Sequence, residues 1–244
     1  MTTKILSNNI LKDIDVLILS GGQGTRLREI VNDRPKMMAE INERPFLDIL
    51  INYISKYGFR RFILCVGYMA NSIEKYYNKK EIINAEILFS KEGKPLGTGG
   101  AIKNAEKFIQ SDSFLVVNGD SFCPINFLDF FNFYNKKSAL TSMVVVEGKD
   151  NKDTGSVILD DSQKIIQFQE KENNKKAFVN AGIYFFKKEI LSLIPPQINY
   201  SLEYSLFPKL IGQEFYAYVV QKKLIDIGTP ERYLKAKDFF TNYE

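Results

Sequence analysis

The chain has 244 residues, of which 45% are hydrophobic and 25% charged, which is typical of a globular protein with one large core and no membrane span. The net charge of +4 at pH 7, without a run of lysine or arginine, argues against a nucleic-acid-binding surface. Histidine is absent, which excludes Ser-His-Asp and Cys-His nucleophile systems and metal sites with imidazole ligands.

Strands and helices alternate along the first 150 residues. Short apolar runs predict strands, and apolar residues at helical spacing predict helices. The predicted strands are "IDVLILS" (14–20), "RRFILCVG" (60–67), "AEILFS" (85–90), "SFLVVNGDSF" (113–122) and "ALTSMVVVEG" (139–148). The predicted helices are "PFLDILINYISKYG" (45–58), "ANSIEKYYN" (70–78), "GTGGAIKNAEKFI" (97–109) and "INFLDFFNFYNKK" (125–137). This alternation favours a mostly parallel sheet with helices on both faces.

The pattern changes between residues 151 and about 186, where shorter β runs follow one another. These runs are "GSVILD", "KIIQFQEK" and "NAGIYFF", which we expect to form a β-rich insertion or lid on the same core. We expect helical stretches around "EFYAYVV" and "LIDIGT", and a last helix with Thr229 as N-cap and Pro230 at its first position. The whole chain, residues 1–244, is therefore predicted to be one α/β domain.

A glycine-rich segment, "SGGQGTR", follows the first predicted strand. Backbone N–H groups at the carboxyl end of a sheet suit phosphate oxygens. The spacing matches neither common phosphate fingerprint, because Leu27 stands where a Rossmann loop has glycine and Gly24-Thr25-Arg26 replaces the Gly-Lys-Ser/Thr of a P-loop. A tight turn would explain the glycines alone. Arg26 and Lys36 nearby favour a polyphosphate ligand.

Several motifs in order along the chain resemble those of the sugar-1-phosphate nucleotidyltransferases. They are "GGQGTRL", "RPKMM", "KPLGTGGAI", "VNGDSF", "FQEK", "NAGIYFF" and "IDIGTPERY". The resemblance implies a doubly wound α/β fold, and an enzyme that joins a nucleoside triphosphate to a sugar 1-phosphate and releases pyrophosphate. A phosphate monoester loses its second proton near pH 6, so this reaction needs no histidine base.

The resemblance also implies a role for particular residues. Arg26 and Lys36 are expected to stabilise charge on the phosphates, and Asp120 and Asp226 to hold Mg²⁺, a cofactor that prefers oxygen ligands. The expected nucleotide contacts are Leu19, Gly21, Gly22, Gly24, Thr25, Arg26, Lys36, Pro95, Gly97, Thr98 and Gly99. The expected sugar-phosphate contacts are Asn118, Gly119, Glu170, Lys171, Asn180, Gly182 and Glu203. Glu172 follows Lys171 where the family usually has proline, which weakens that local match.

The base and the sugar are predicted from resemblance alone. The short chain and the variants "SKEGKPLGTGGAI" and "IDIGTPERY" favour GTP and a manno-heptose 1-phosphate. Mannose, glucose and N-acetylmuramate 1-phosphate, with GTP, UTP, dTTP or CTP, stay open, as does a catalytically silent regulator that binds nucleotide sugars. A choline-phosphate cytidylyltransferase fits the "NAGIYFF" and "FQEK" segments less well. A metal-dependent glycosyltransferase would need the Asp-x-Asp that "NGDSF" lacks.

The remaining expectations concern the setting of the enzyme. We expect a cytoplasmic protein that builds precursors of capsule or cell-surface polysaccharide, with no membrane or nucleic-acid partner and no C-terminal β-helix domain. The sequence leaves a homo-oligomer open. Cys65 and Cys123 lie in apolar runs and are predicted to be buried, reduced thiols.

Overall fold

The computed structural model describes residues 10–22, 24–80, 85–147, 156–169 and 178–243. Its strands are β1 (Asp15–Ser20), β2 (Glu40–Ile41), β3 (Arg44–Pro45), β4 (Arg61–Val66), β5 (Glu86–Lys91), β6 (Ser113–Asn118), β7 (Ser121–Phe122), β8 (Thr141–Glu147), β9 (Ser156–Leu159), β10 (Ile165–Gln169), β11 (Phe178–Lys187), β12 (Phe215–Val220) and β13 (Ile225–Asp226). Its α-helices are α1 (Phe46–Ser55), α2 (Ala70–Tyr77), α3 (Gly97–Asn104), α4 (Phe127–Lys136), α5 (Phe207–Leu210) and α6 (Pro230–Thr241). No helix of the described residues is long and apolar enough to cross a membrane.

A central sheet runs through the molecule in the order β10-β9-β11-β6-β1-β4-β5, and β8 joins it by pairing with β11 and β12. Strand β1 lies between β4 and β6 and is parallel to both. The carboxyl ends of these three strands therefore meet at one edge. Ligands of open α/β sheets bind at such an edge, beside a central strand from which the connections leave in both directions.

Hydrophobic cores cover both faces of the sheet, as the continuous apolar runs predict. Val16 and Ile18 of β1 pack into the core that contains α1, α2, α4 and α6. Leu17, between them, packs into the core that contains α3 and α5. The predicted doubly wound arrangement is confirmed.

The β-rich stretch adds strands to the central sheet. Strand β11 changes its neighbour along its length, because Val179 pairs with Ser156 of β9 while Ile183 pairs with Val117 of β6. The change occurs around Gly182, whose φ of 73° is in the left-handed region that favours glycine. Residues 148–155 and 170–177 of this stretch lie outside the described residues.

The helical stretches predicted around "EFYAYVV" and "LIDIGT" are wrong. The first forms β12, which pairs in parallel with β8, and the second contains β13, which pairs with β7. Aromatic and β-branched side chains dominate β12, and these favour a pleated surface once a neighbouring strand is present. The final helix begins as predicted, since the Thr229 hydroxyl accepts a hydrogen bond from the Arg232 N–H at 3.3 Å.

Both cysteines are buried and unpaired, as predicted. Burial in apolar surroundings raises the pKa of the Cys65 thiol to about 12. It also raises the pKa of the Cys123 thiol to about 12. Both therefore remain protonated and unreactive at neutral pH.

Candidate active site

The first glycine loop turns sharply at the end of β1. Gly24 has a φ of 60°, and its carbonyl accepts a hydrogen bond from the Leu27 N–H at 3.0 Å. A Cβ at Gly24 would lie 2.8 Å from Cβ of Lys36. Glycine at this position therefore brings the segment that carries Lys36 against the loop. At Gly22 a Cβ would meet nothing within 4 Å, so the backbone there is open to a ligand.

The side chain of Lys36 packs against Gly24 of the first glycine loop and forms an ion pair with Asp120. Its Nζ lies 2.6 Å from Oδ2 of Asp120. The lysine side chain is 12% exposed, whereas the aspartate is 41% exposed and faces the open side of the site. Asp120 lies in the turn after β6, and Gly119 before it donates its N–H to the carbonyl of Leu19 in β1 at 2.9 Å. This hydrogen bond between the end of β6 and β1 fixes the position of the Asp120 carboxylate at the edge of the sheet.

Asp226 comes to the same place through a two-stranded ladder, β7–β13. Asp226 pairs with Ser121, and the Ile227 N–H donates to the carbonyl of Asp120 at 3.0 Å. Oδ1 of Asp226 accepts from the Gly228 N–H at 2.9 Å and lies 3.4 Å from Nη1 of Arg232. The two predicted metal-binding aspartates are therefore neighbours, although they lie far apart in the sequence.

The second glycine loop packs against the segment at residues 198–202. A Cβ at Gly97 would lie 2.9 Å from the Tyr200 carbonyl oxygen, and one at Gly99 would lie 3.0 Å from the Tyr200 ring. The Thr98 hydroxyl accepts from the Leu202 N–H at 2.8 Å and donates to Oε2 of Glu203 at 2.9 Å. Contact with this segment therefore explains why residues 97 and 99, two of the predicted nucleotide contacts, are glycines.

Gly100 offers a test of this contact, because a Cβ there would lie 2.6 Å from the Ile198 carbonyl oxygen. Glycine to alanine inside a helix usually stabilises a protein. We expect Gly100→Ala to lower the free energy of unfolding instead, by about 1–3 kcal/mol, because α3 must move away from residue 198. Urea denaturation measures the change. Gly93→Ala, where a Cβ would meet nothing within 4 Å, is the control, and equal stability of the two variants would contradict the contact.

The two loops and Asp120 surround a cavity of about 450 Å³, a size typical of small-ligand sites. Twelve of the predicted residues line it: Leu19, Gly21, Gly22, Gly24, Thr25, Arg26, Lys36, Pro95, Gly97, Thr98, Asn118 and Asp120. The other lining residues are Met37, Glu92, Ala101, Asn199 and Gly228. Asp226 borders the cavity through Gly228, with which it is hydrogen-bonded.

The predicted sugar-phosphate residues are only partly brought together. Oδ1 of Asn118 is buried in the cavity wall and has no hydrogen-bond partner among the described residues. Gly182 packs on this side chain, since a Cβ there would lie 2.6 Å from Nδ2 of Asn118. Asn180 instead shapes the turn of β11, accepting from the Gly182 N–H at 2.9 Å and donating to the Tyr184 hydroxyl at 2.8 Å.

Glu203 makes local hydrogen bonds. Oε2 accepts from Thr98 and, at 2.7 Å, from the Ser201 hydroxyl, so this carboxylate orients the second glycine loop. Glu170 and Lys171 lie outside the described residues. Gly119 is close to the backbone of β1, because a Cβ would lie 2.7 Å from the Leu19 carbonyl oxygen.

Sequence reasoning missed Glu92, whose carboxylate lies inside the cavity. A Cβ at Gly21 would lie 2.6 Å from its Oε1, so the first loop leaves room for this side chain. Its Oε2 accepts from the Leu96 N–H at 3.1 Å. Partial burial raises the pKa of Glu92 above its ordinary value. Its position directly after β5, at the same sheet edge as the first glycine loop, is the signal that could have identified it.

The side chains present fit a magnesium ion. Asp120 and Asp226 supply carboxylate oxygens. Asn118 lines the same cavity as Asp120, and its buried amide oxygen has no hydrogen-bond partner among the residues that the structure describes. Mg²⁺ is often bound by one or two carboxylates together with substrate phosphates. No group of three or more acidic, histidine or cysteine side chains able to hold a metal occurs in the described part of the chain. Substrate oxygens would therefore have to complete the coordination.

Comparisons with known proteins agree with this geometry. The family model of nucleotidyl transferases matches residues 15–243. D-glycero-alpha-D-manno-heptose 1-phosphate guanylyltransferase from Campylobacter jejuni is 36% identical over 220 residues, covering 90% of this chain and 97% of that protein. The enzyme of the same description from Aneurinibacillus thermoaerophilus is 32% identical, covering 94% of this chain and all of that one.

The fold is also similar to crystal structures of HddC from Yersinia pseudotuberculosis. One superimposes with a TM-score of 0.83 at 36% identity, covering 93% of this chain and 99% of that one. A second, in complex with GMP-PN, superimposes with a TM-score of 0.81. The likeness therefore extends over nearly the whole chain.

Proposed function

Because this chain belongs to the nucleotidyl transferase family, we propose that it transfers the guanylyl group of GTP to D-glycero-α-D-manno-heptose 1-phosphate, giving GDP-heptose and pyrophosphate, with Mg²⁺ as cofactor. One observation carries the proposal: Lys36, Asp120 and Asp226 converge beside a cavity that two glycine loops line. The relatives at 36% and 32% identity, both heptose 1-phosphate guanylyltransferases, support the choice of substrates.

The reaction is an in-line displacement at the α-phosphorus. A phosphate oxygen of the sugar 1-phosphate forms the new bond, and the oxygen bridging the α- and β-phosphorus atoms leaves with pyrophosphate. The attacking phosphate is already largely dianionic at neutral pH, because its second proton is lost near pH 6. Positioning and charge neutralisation then suffice, which agrees with a chain that has no histidine.

Each charged residue of the site has a role in that account. Arg26 and Lys36 neutralise the triphosphate and the departing pyrophosphate, and the backbone at Gly22 lies against phosphate oxygens. Asp120 and Asp226 would hold Mg²⁺, which would supply positive charge to the anionic reactants. Asn118 lines the same cavity, and its buried amide oxygen has no hydrogen-bond partner within the described part of the chain. Lys171, outside the described residues, is proposed to bind the sugar phosphate.

Glu92 is the residue that fits a guanine base. Guanine presents two adjacent donors, N1–H and the N2 amino group, which a carboxylate can accept together. Uracil and thymine present one donor between two acceptors, and cytosine lacks the paired arrangement. Glu92 lines the cavity together with Gly21 and Pro95, and its Oε2 accepts a hydrogen bond from the Leu96 N–H.

Glu92→Gln should reduce the preference for GTP. The substitution preserves the size of the side chain beside Gly21 and Gly67. It replaces one carboxylate oxygen, an acceptor, with an amide NH₂ group, a donor that would face the N1–H and N2 donors of guanine. We expect kcat/KM for GTP to fall by at least about tenfold, a loss typical of an unpaired polar group, while kcat/KM for UTP changes little. Because burial raises the pKa of Glu92, the GTP preference of the unmodified enzyme should also weaken on acidification sooner than an exposed glutamate would allow. Steady-state kinetics with GTP and UTP measure both effects. Equal losses of kcat/KM for the two nucleotides in Glu92→Gln would contradict the role of Glu92 in binding guanine.

The proposed reaction is tested by pyrophosphate release. The protein is incubated with MgCl₂, each of GTP, UTP, dTTP and CTP, and a panel of heptose, mannose, glucose and N-acetylmuramate 1-phosphates. GTP with the heptose phosphate should give the highest kcat/KM. A higher value for another pair would correct the substrates and leave the reaction class intact. No pyrophosphate from any pair would overturn the enzyme and favour a nucleotide-sugar-binding regulator.

A further inference from the structure

Both carboxylates of the proposed magnesium site are already paired with cations of the chain itself. Lys36 Nζ lies 2.6 Å from Oδ2 of Asp120. Arg232 Nη1 lies 3.4 Å from Oδ1 of Asp226. Arg232 has no predicted role, yet from the first turn of α6 its guanidinium reaches Asp226 of β13.

The two pairs also lie close to each other. The position of a Cβ on Gly228 would be 2.9 Å from Oδ1 of Asp226, 3.6 Å from Nζ of Lys36 and 3.9 Å from Nη1 of Arg232. Two negative and two positive side chains thus meet around one glycine, and their formal charges sum to zero. The four groups therefore present no net charge to a divalent ion that approaches alone.

The Lys36–Asp120 pair is the shorter of the two contacts. Its lysine side chain is 12% exposed and its aspartate 41% exposed. We expect it to be the stronger pair because of its shorter distance. The Asp226–Arg232 pair is longer, and its side chains are 33% and 26% exposed. Exposed pairs of this length contribute little, so its effect should be smaller.

We propose that, when no nucleotide is bound, Lys36 and Arg232 take the place of the divalent ion beside Asp120 and Asp226. The divalent ion then binds tightly only together with a triphosphate. The proposal rests on the proposed function in taking these aspartates as metal ligands. Triphosphate oxygens offer Lys36 and Arg232 new anionic partners, which releases the carboxylates for the metal. Metal and nucleotide therefore bind with positive coupling, and each raises the affinity for the other by the same factor.

The coupling is measured by titrating Mn²⁺ into the protein and following the free ion by electron paramagnetic resonance, with and without a non-hydrolysable GTP analogue. Mn²⁺ is the probe because it prefers the same oxygen ligands as Mg²⁺. For the unmodified protein, we expect the analogue to lower the Kd of Mn²⁺ at the site by at least about tenfold, after correction for Mn²⁺ bound by free analogue.

Two variants test the cations directly, in the absence of nucleotide. Lys36→Met should lower the Kd for Mn²⁺ by at least about tenfold, and Arg232→Met by about threefold, because each removes a competing positive charge. Lys235→Met is the control: it removes the same charge from α6, but Lys235 is 67% exposed and pairs with Glu231. It should leave the Kd unchanged. Circular dichroism confirms that each variant is folded.

The outcomes separate this inference from the proposed function. If the unmodified protein binds Mn²⁺ equally well with and without the analogue, or if neither Lys36→Met nor Arg232→Met tightens Mn²⁺ binding more than Lys235→Met, the inference is wrong. Pyrophosphate release in the substrate panel would still establish the enzyme in that case. Loss of the tightened binding in a Lys36→Met/Asp120→Asn double variant would show that the strengthened Mn²⁺ site includes Asp120.

Discussion

Asp120→Asn is expected to lower kcat by at least about a hundredfold while the protein stays folded, a loss typical of a group that organises transition-state charge. The change keeps the size and shape of the side chain. It removes the negative charge that pairs with Lys36 and that is proposed to hold the metal. Because Asp120 is 41% exposed and lies in the turn after β6, we expect the variant to fold.

The control for this variant is Asp129→Asn. Asp129 is exposed on α4, so it loses the same charge at a distance from the cavity. Turnover is followed by pyrophosphate release at saturating GTP and sugar phosphate, and thermal denaturation reports the fold. Asp120→Asn turnover within a few-fold of Asp129→Asn would refute the metal role.

Lys36→Met should lower kcat/KM for the nucleotide by at least about a hundredfold, since it removes a cation at the phosphate end of the cavity. Methionine retains the unbranched stem that packs against Gly24. Lys75→Met on α2 is the control, because Lys75 is exposed and lies outside the cavity. An unchanged kcat/KM in Lys36→Met would show that this lysine only neutralises Asp120 in the resting protein.

Lys36→Met has a second readout that moves in the opposite direction. The same substitution that slows turnover is expected to tighten Mn²⁺ binding in the absence of nucleotide. A lysine with a purely structural role would change neither quantity, and a general loss of the fold would weaken both. The pair of measurements therefore separates a role in charge balance from a role in stability.

The central part of the site could be predicted from sequence because it lies at strand ends. Buried parallel strands are recognisable as continuous apolar runs, and their carboxyl ends meet at one edge. The glycine loop after β1 follows from that rule, and the rule agrees with the position of Asp120 after β6, which the family motif identified. Asp226 was placed by its motif, although its strand, β13, was predicted as part of a helix.

Other features depend on contacts between distant segments, which local patterns do not encode. "EFYAYVV" forms a strand because β8 is available to pair with it, and the isolated apolar run does not reveal that partner. Gly97 and Gly99 make room for Tyr200. Glu92 becomes a cavity residue only because Gly21 and Gly67 leave space for its carboxylate. In each case the cause lies in a neighbour that the chain brings near on folding.

The most direct test of the account is a crystal structure of this protein with Mn²⁺ and a non-hydrolysable GTP analogue, in which anomalous scattering locates the ion. The account predicts one strong peak within bonding distance of carboxylate oxygens of both Asp120 and Asp226 and of phosphate oxygens of the analogue. It also predicts that Nζ of Lys36 has moved from Asp120 to a phosphate. A peak elsewhere, or a triphosphate that lies away from residues 20–26, would contradict it.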